Sequence, residues 1–485
     1  HLPFRDVVIW TTLIGGYVGY GLCEKAFECV EKMQQEGIVA SKVTFLFVLK
    51  ACGNMEALDW GMLLHHQIIT SGLQIDMPVG SSVLDMYAKC GKLHEARKIF
   101  YCLPSRDIVS WGAMIGGHAQ HGEAILALQF FEKMQENDVK PNKATFLSAL
   151  KACGNLENVE LGQQIHDQII KSDSCTDMMV ASSLIDMYGK CGSLEESNRV
   201  FRRLLNPDAV SWGALIAGYA LHEEGAFALD LFSEMQRKHV KADKFVLSCS
   251  LKACGNIGAV DLGKRIDVMV YSYSLDADDF NFIPALINMY GKCGNMFDCE
   301  RIFATIASND LLTWNTLITA YSQQGDYEHV FYLIKKAESE GIHPDEVTFL
   351  GVLSVCSYAG LLNIGKRYFN IMTRVYGIEK NLKHYTCMID LLGRAGQLIE
   401  ALELIDIMPF QADYATLCAF LSACRRWCNV NLGEWIVRSI ARPEQKHDGA
   451  RLLMYNIYMD AQMWENAKTV EIMGGLNNAH MFLDI

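Results

Sequence analysis

Apolar residues along this chain fall in short stripes with helical spacing, interrupted every dozen or so positions by a polar or glycine turn. Trp10, Leu13, Ile14 and Tyr17 stand at i, i+3, i+4 and i+7, the spacing of one helix face. Ala26, Val30 and Met33 form a second stripe, and Ala127, Phe131, Met134 and Ala228, Phe232, Met235 reproduce it. Gly21, Gly91, Gly122, Gly192 and Gly294 fall between paired stripes, where a turn needs a left-handed residue. Pro141 and Pro344 follow the second stripes. The pattern predicts helical hairpins that bury their stripes on their neighbours.

The hairpins are copies. Leu-Lys-Ala-Cys-Gly-Asn occurs at Leu49–Asn54, Leu150–Asn155 and Leu251–Asn256. Met86–Gly91, Met187–Gly192 and Met289–Gly294 carry a second marker, and Trp10, Trp111, Trp212 and Trp314 keep the same step of 101 or 102 residues. Such a period predicts a solenoid, whose function lies along an extended surface. Each period divides into segments of about 35, 35 and 31 residues: Val7–Ser41, Lys42–Asp76 and Met77–Asp107, then Ile108–Asn142, Lys143–Asp177 and Met178–Asp208. Ala209–Asp243, Lys244–Asp279 and Phe280–Asp310 follow, then Leu311–Asp345, Glu346–Asn381 and Leu382–Asp413. This gives twelve repeats over 7–413, with residues 1–6 as the end of a truncated preceding repeat. Leu2–Asp6 matches Leu103–Asp107, so the N-terminus reads as the inside of a repeat array and not as a targeting segment.

Composition narrows the function. The formal charge of −13 argues against gripping nucleic acid by bulk attraction, and leaves room for a local basic stripe. No run of 18 apolar residues occurs, so no membrane span or membrane partner is expected. Seven of the 17 cysteines recur in register (Cys52, Cys153, Cys254 and Cys356; Cys90, Cys191 and Cys293), which fits small core residues in a reducing compartment better than a disulfide framework. Cys424 and Cys428 lack a histidine pair, His222-Glu223 lacks the second histidine of a zinc hydrolase, and His65-His66 reads as structural. No metal or other cofactor is expected.

Two helices in about 35 residues fit two repeat families, and the residues decide between them. Val210–Ala220 and Gly341–Phe349 resemble pentatricopeptide repeats. The 35, 35, 31 alternation resembles the plant class with P, L and S repeats, and Val83–Gly91 resembles its S motif. Phe420–Arg425 with Gly433-Glu434 resembles that class's first E motif, and Tyr455–Tyr458 with Trp464-Glu465 the second. Residues 414–485 therefore read as an E-like helical region, diverged after about 470.

The resemblance implies an all-α, right-handed superhelix that binds single-stranded organellar RNA, one base per repeat. It implies that the fifth and last residues of each repeat read the base. Asn315 with Asp345 resembles a uracil pair. Ser81 with Asp107, Ser182 with Asp208 and Thr386 with Asp413 resemble guanine pairs, and Thr11 with Ser41 suggests a purine. Asn142, Asp243, Asp310 and the pair Ser248 and Asp279 complete the set. Gly112, Gly213 and Pro284 depart from it, and Leu46, Leu147 and Leu350 fill fifth positions that read little. The other account of these polar residues is helix capping. Lys89, Lys190 and Lys292 recur on S-repeat helices as candidate phosphate contacts.

Many proteins of this class carry a zinc deaminase domain. Its His-x-Glu occurs at His121–Glu123 and His222–Glu224, but both fall at hairpin turns and no Cys-x-x-Cys occurs in the chain. The expectation is a non-enzymatic specificity factor for cytidine-to-uridine editing in mitochondrion or chloroplast, the former preferred. A deaminase or editing accessory protein acting in trans is the expected protein partner. The alternatives are an RNA stabilisation or processing factor and a protein scaffold.

Overall fold

The computed structural model describes residues 6–70, 76–172, 177–273, 282–305, 310–440 and 448–474. Asp279, residues 2–5 and the diverged tail from 475 lie outside them. Among the described residues there are 28 α-helices and no strand, an all-α helical-repeat solenoid. Two compact units divide the chain, 1–253 and 254–485.

In the first unit, Val7–Gly19 pairs with Cys23–Gln35, and the pattern repeats through Ala209–Leu221 with Gly225–Arg237. Asp6 starts the first helix by accepting the backbone N–H groups of Val8 and Ile9 at 3.1 and 2.9 Å. Gly21 turns the chain at φ 75°. The equivalent alanines Ala26, Ala127 and Ala228 are fully buried, as are Met134 and Met235. Neighbouring hairpins interlock through an aromatic pair: Phe100 meets Trp111 edge-on at 4.8 Å, and Phe201 meets Trp212 at 4.6 Å. First helices of successive hairpins come so close that a Cβ on Gly218 would lie 2.9 Å from the Gly189 Cα.

The second unit follows the same rules. Phe303 meets Trp314 at 4.8 Å. The hairpins continue past 413 as Tyr414–Arg426 with Val430–Ile440 and Asp448–Asp460 with Trp464–Gly474.

One stripe needs correcting. Leu13 is exposed and Tyr17 only half-buried, while Trp10, Ile14 and Val18 form the buried line. The equivalents of Leu13, which are Met114, Leu215 and Leu317, are fully buried. That face is covered by the preceding hairpin, and none stands before Val7–Gly19 among the described residues.

One set of recurrent cysteines packs as core, whereas Cys90, Cys191 and Cys293 stand at the C-caps of their helices and are only half-buried. Cys52, Cys153, Cys254 and Cys356 are fully buried, and burial pushes each thiol up to about 12.

Candidate nucleic-acid interface

At each hairpin whose last residue is among the described residues, that residue sits at the N-cap of the next first helix. Asp107, Asn142, Asp208, Asp310, Asp345 and Asp413 each accept the backbone N–H three residues on, at 2.8–3.0 Å. Asp243 does the same to Val246 N at 2.8 Å, and Ser41 to Thr44 N at 3.2 Å. The capping account therefore holds geometrically, and it does not compete with a surface role. A carboxylate has about four lone-pair sites, and the cap takes one.

The fifth residue lies one turn into the first helix, beside that cap. Thr11, Ser81, Ser182 and Asn315 are buried there, and Thr386 and Ser248 half-buried. Asn315 Nδ2 donates to Asp345 Oδ1 at 2.9 Å, so this pair touches directly. Ser182 and Asp208 line one cleft of about 710 Å³ together with Leu147, Lys190 and Asp243. Asn315, Asp345 and Pro284 line another of about 560 Å³, and Thr11 with Ser41 a third of about 470 Å³. Gly112 and Gly213 present no side chain.

Two slots predicted to read little are closed by ions. Lys143 donates to Asp177 at 2.7 Å, and Lys42 to Asp76, holding both carboxyls below the usual range. Those aspartates end the repeats whose fifth residues are Leu147 and Leu46, so each slot pairs an apolar fifth side chain with a carboxylate engaged by lysine.

The recurrent lysines Lys89, Lys190 and Lys292 are also partnered. Lys89 lies 2.8 Å from Asp85, Lys190 lies 2.7 Å from Asp186, and Lys292 donates to Asn256 at 2.7 Å. The turn histidines bind backbone: His121 Nε2 is 3.0 Å from the Lys89 carbonyl, and His222 Nε2 is 2.8 Å from that of Gly189. His65 Nδ1 meets the Tyr87 hydroxyl at 3.1 Å, a structural role.

Two sets of residues escape a reading confined to fifth and last positions. The second residue of each hairpin is exposed at every described position, and in most it is large and apolar: Val8, Val43, Val109, Met179, Val210, Phe245, Leu312 and Val347. Consecutive members flank each cleft: Val8 and Val43, Met179 and Val210, Leu312 and Val347. Their signal was an apolar residue one place off the buried stripe. Lys50, Lys151 and Lys252 are exposed, and Lys151 lines the 710 Å³ cleft. They sit inside the recurring Leu-Lys-Ala-Cys-Gly-Asn marker.

This repeat pattern has counterparts in known proteins. The PPR repeat family matches residues 5–54, 106–155 and 309–357, and the PPR repeat matches 81–108, 180–206, 210–240, 285–310 and 383–409. A pentatricopeptide repeat-containing protein of Arabidopsis thaliana is 33% identical over 97% of this chain and 68% of its own length. The chain belongs to the pentatricopeptide repeat family. Another Arabidopsis thaliana relative, named as mitochondrial, is 33% identical over 97% of this chain and 68% of its own. One named as chloroplastic is 34% identical over 97% and 58%. In fold, the chain resembles the crystal structure of the pentatricopeptide repeat protein PPR10 from maize, with a TM-score of 0.50 and 16% identity over 98% of this chain and 74% of that one.

Proposed function

We propose that this pentatricopeptide repeat protein binds single-stranded organellar RNA in register and marks sites for cytidine-to-uridine editing. The observation that carries the reading is the repeated cleft. Each holds a fifth and a last residue with hydrogen-bonding groups, between two exposed apolar second residues. Flat apolar walls suit stacking of an unpaired base, and the polar floor suits its edge. A mismatched base there leaves buried polar groups unpaired, at about 1–3 kcal/mol. We read the repeats as P, L and S types, and 414–485 as an E-like region.

The deaminase would come from a partner. Hydrolytic deamination needs a zinc-activated water and a glutamate, and no Cys-x-x-Cys stands in the chain to hold the metal. Trp427, Trp435 and Trp464 are exposed in the E-like region, whereas Trp10, Trp111, Trp212 and Trp314 of the repeats are buried. Exposed tryptophans suit a protein interface. The test is sequencing of mitochondrial and chloroplast transcripts from a plant lacking this protein. Loss of editing at discrete cytidines is expected. Altered transcript levels with all editing intact would sink the editing reading and favour stabilisation or processing.

A further inference from the structure

Four slots share a connection that capping alone does not explain, although Thr44 and Thr348 also accept the backbone N–H of Ser41 and Asp345 in capping boxes. The third residue of the following hairpin carries a hydroxyl that lies between the fifth and last residues. Thr44 Oγ1 is 2.6 Å from Thr11 Oγ1 and 2.8 Å from Ser41 Oγ. Ser211 Oγ is 2.9 Å from Ser182 Oγ and donates to Asp208 Oδ1 at 2.6 Å. Thr348 Oγ1 donates to Asn315 Oδ1 at 2.5 Å, with Asp345 Oδ1 at 2.9 Å. Thr416 Oγ1 is 2.7 Å from Thr386 Oγ1 and donates to Asp413 Oδ1 at 2.6 Å. All four bridging residues are buried.

We propose that Thr44, Ser211, Thr348 and Thr416 are positioning residues that set base selectivity by fixing which way the fifth side chain donates. The proposal rests on the base-reading function above. A hydroxyl has one proton. Ser211 and Thr416 give theirs to a carboxylate, the stronger, charge-assisted bond. The fifth hydroxyl then directs its own proton into the protein: Ser182 Oγ also reaches the Met178 carbonyl at 2.9 Å, and Thr386 Oγ1 the Leu382 carbonyl at 3.0 Å. What it turns to the slot is an acceptor oxygen, beside an acceptor carboxylate. Two acceptors suit a base edge with adjacent donors, as guanine offers. At Asn315 the bridge fixes the amide instead. Thr348 donates to Oδ1 while Asp345 accepts from Nδ2, so the amide cannot turn over. It presents one donor and one acceptor, the pattern of a pyrimidine edge.

Ser81 with Asp107 is the natural control. It repeats the Ser182 and Asp208 pair, but Ser110 donates to the Asp107 carbonyl at 2.8 Å, and Ser81 Oγ is buried without a partner. Nothing orients its hydroxyl. This slot selects less sharply than its twin.

The experiment selects a random-sequence RNA pool on the purified chain, for wild type, Thr348→Val, Thr348→Ser and Ser211→Ala. Thr348→Val keeps the shape and the backbone N–H that caps onto Asp345. Selectivity at one nucleotide should fall roughly three- to tenfold, the worth of one ordinary hydrogen bond. Thr348→Ser should restore it, with every other position unchanged. Ser211→Ala should flatten only the Ser182 nucleotide, to the level of the Ser81 nucleotide. Wild-type selectivity retained in both Thr348→Val and Ser211→Ala would overturn the proposal, as would an equal loss at all positions, the mark of a purely structural role. A wild type with no position-specific preference would remove the base-reading function itself.

Discussion

Asp345 shows how one side chain serves two masters. Its Oδ1 accepts from Thr348 N at 2.9 Å, which starts a helix, and from Asn315 Nδ2 at 2.9 Å, which holds the proposed reading group. Removing it would confound stability with recognition, so the informative change lies at the fifth position. Asn315→Thr replaces an amide with a hydroxyl and leaves the cap and the bridge of Thr348 in place. It recreates the arrangement of Thr386, Thr416 and Asp413. Preference at that nucleotide should move from uracil toward guanine, by a factor set by about 1–3 kcal/mol. Filter binding on RNAs differing at that base alone measures it, and an unchanged preference would contradict the pairing of residue and base.

Between elements, what matters is how closely neighbouring first helices approach. Gly218→Ala forces a Cβ against the Gly189 backbone at 2.9 Å and should cost about 1–3 kcal/mol of overpacking. Gly16 is also helical, but nothing lies within 4 Å of its added Cβ. Gly16→Ala should instead stabilise by about 0.5–1 kcal/mol through backbone entropy. Urea midpoints of the two variants should therefore move in opposite directions. A second link joins hairpins through charge. Arg202 grips Glu234 with two bonds, 2.7 and 2.9 Å, and with Lys238 holds that carboxyl down to about 2 against an ordinary 4.5. A depressed carboxyl stabilises the fold fully above pH 4.5, and the contribution fades as pH falls toward about 2. Glu234→Gln should be less stable at neutral pH and converge on wild type in acid. Thermal melts across that range give the check, and parallel curves for the two proteins would refute it.

At the scale of the whole molecule, the proposed RNA binding must proceed despite a net charge of −13. Lys89 and Lys190 are half neutralised by Asp85 and Asp186, leaving Lys50, Lys151 and Lys252 as exposed basic groups in register. Few counterions are released, so affinity should fall gently with salt, at about −0.7 in logarithmic slope per phosphate neutralised. A slope implying about ten or more contacts would mean that other basic groups line the RNA path. The sequence by itself determined the helical hairpins, their register and the placement of fifth and last residues. A period near 101 and a 3.6-residue turn leave each equivalent side chain only one direction relative to its helix. It also placed Cys52, Cys153, Cys254 and Cys356 in the core, because a residue repeated on an apolar stripe has nowhere else to go, but not that Cys90, Cys191 and Cys293, at helix ends, are only half-buried. Tertiary structure alone decided that Leu13 is exposed while Met114 is buried, since a preceding hairpin covers one and not the other. It alone paired Lys42 with Asp76 and Lys143 with Asp177, and it alone separated Ser182 from Ser81, two identical pairs with different wiring. Those outcomes depend on distances of a few tenths of an ångström between helices 29–34 residues apart, which the packing of neighbours sets and a repeat pattern does not encode.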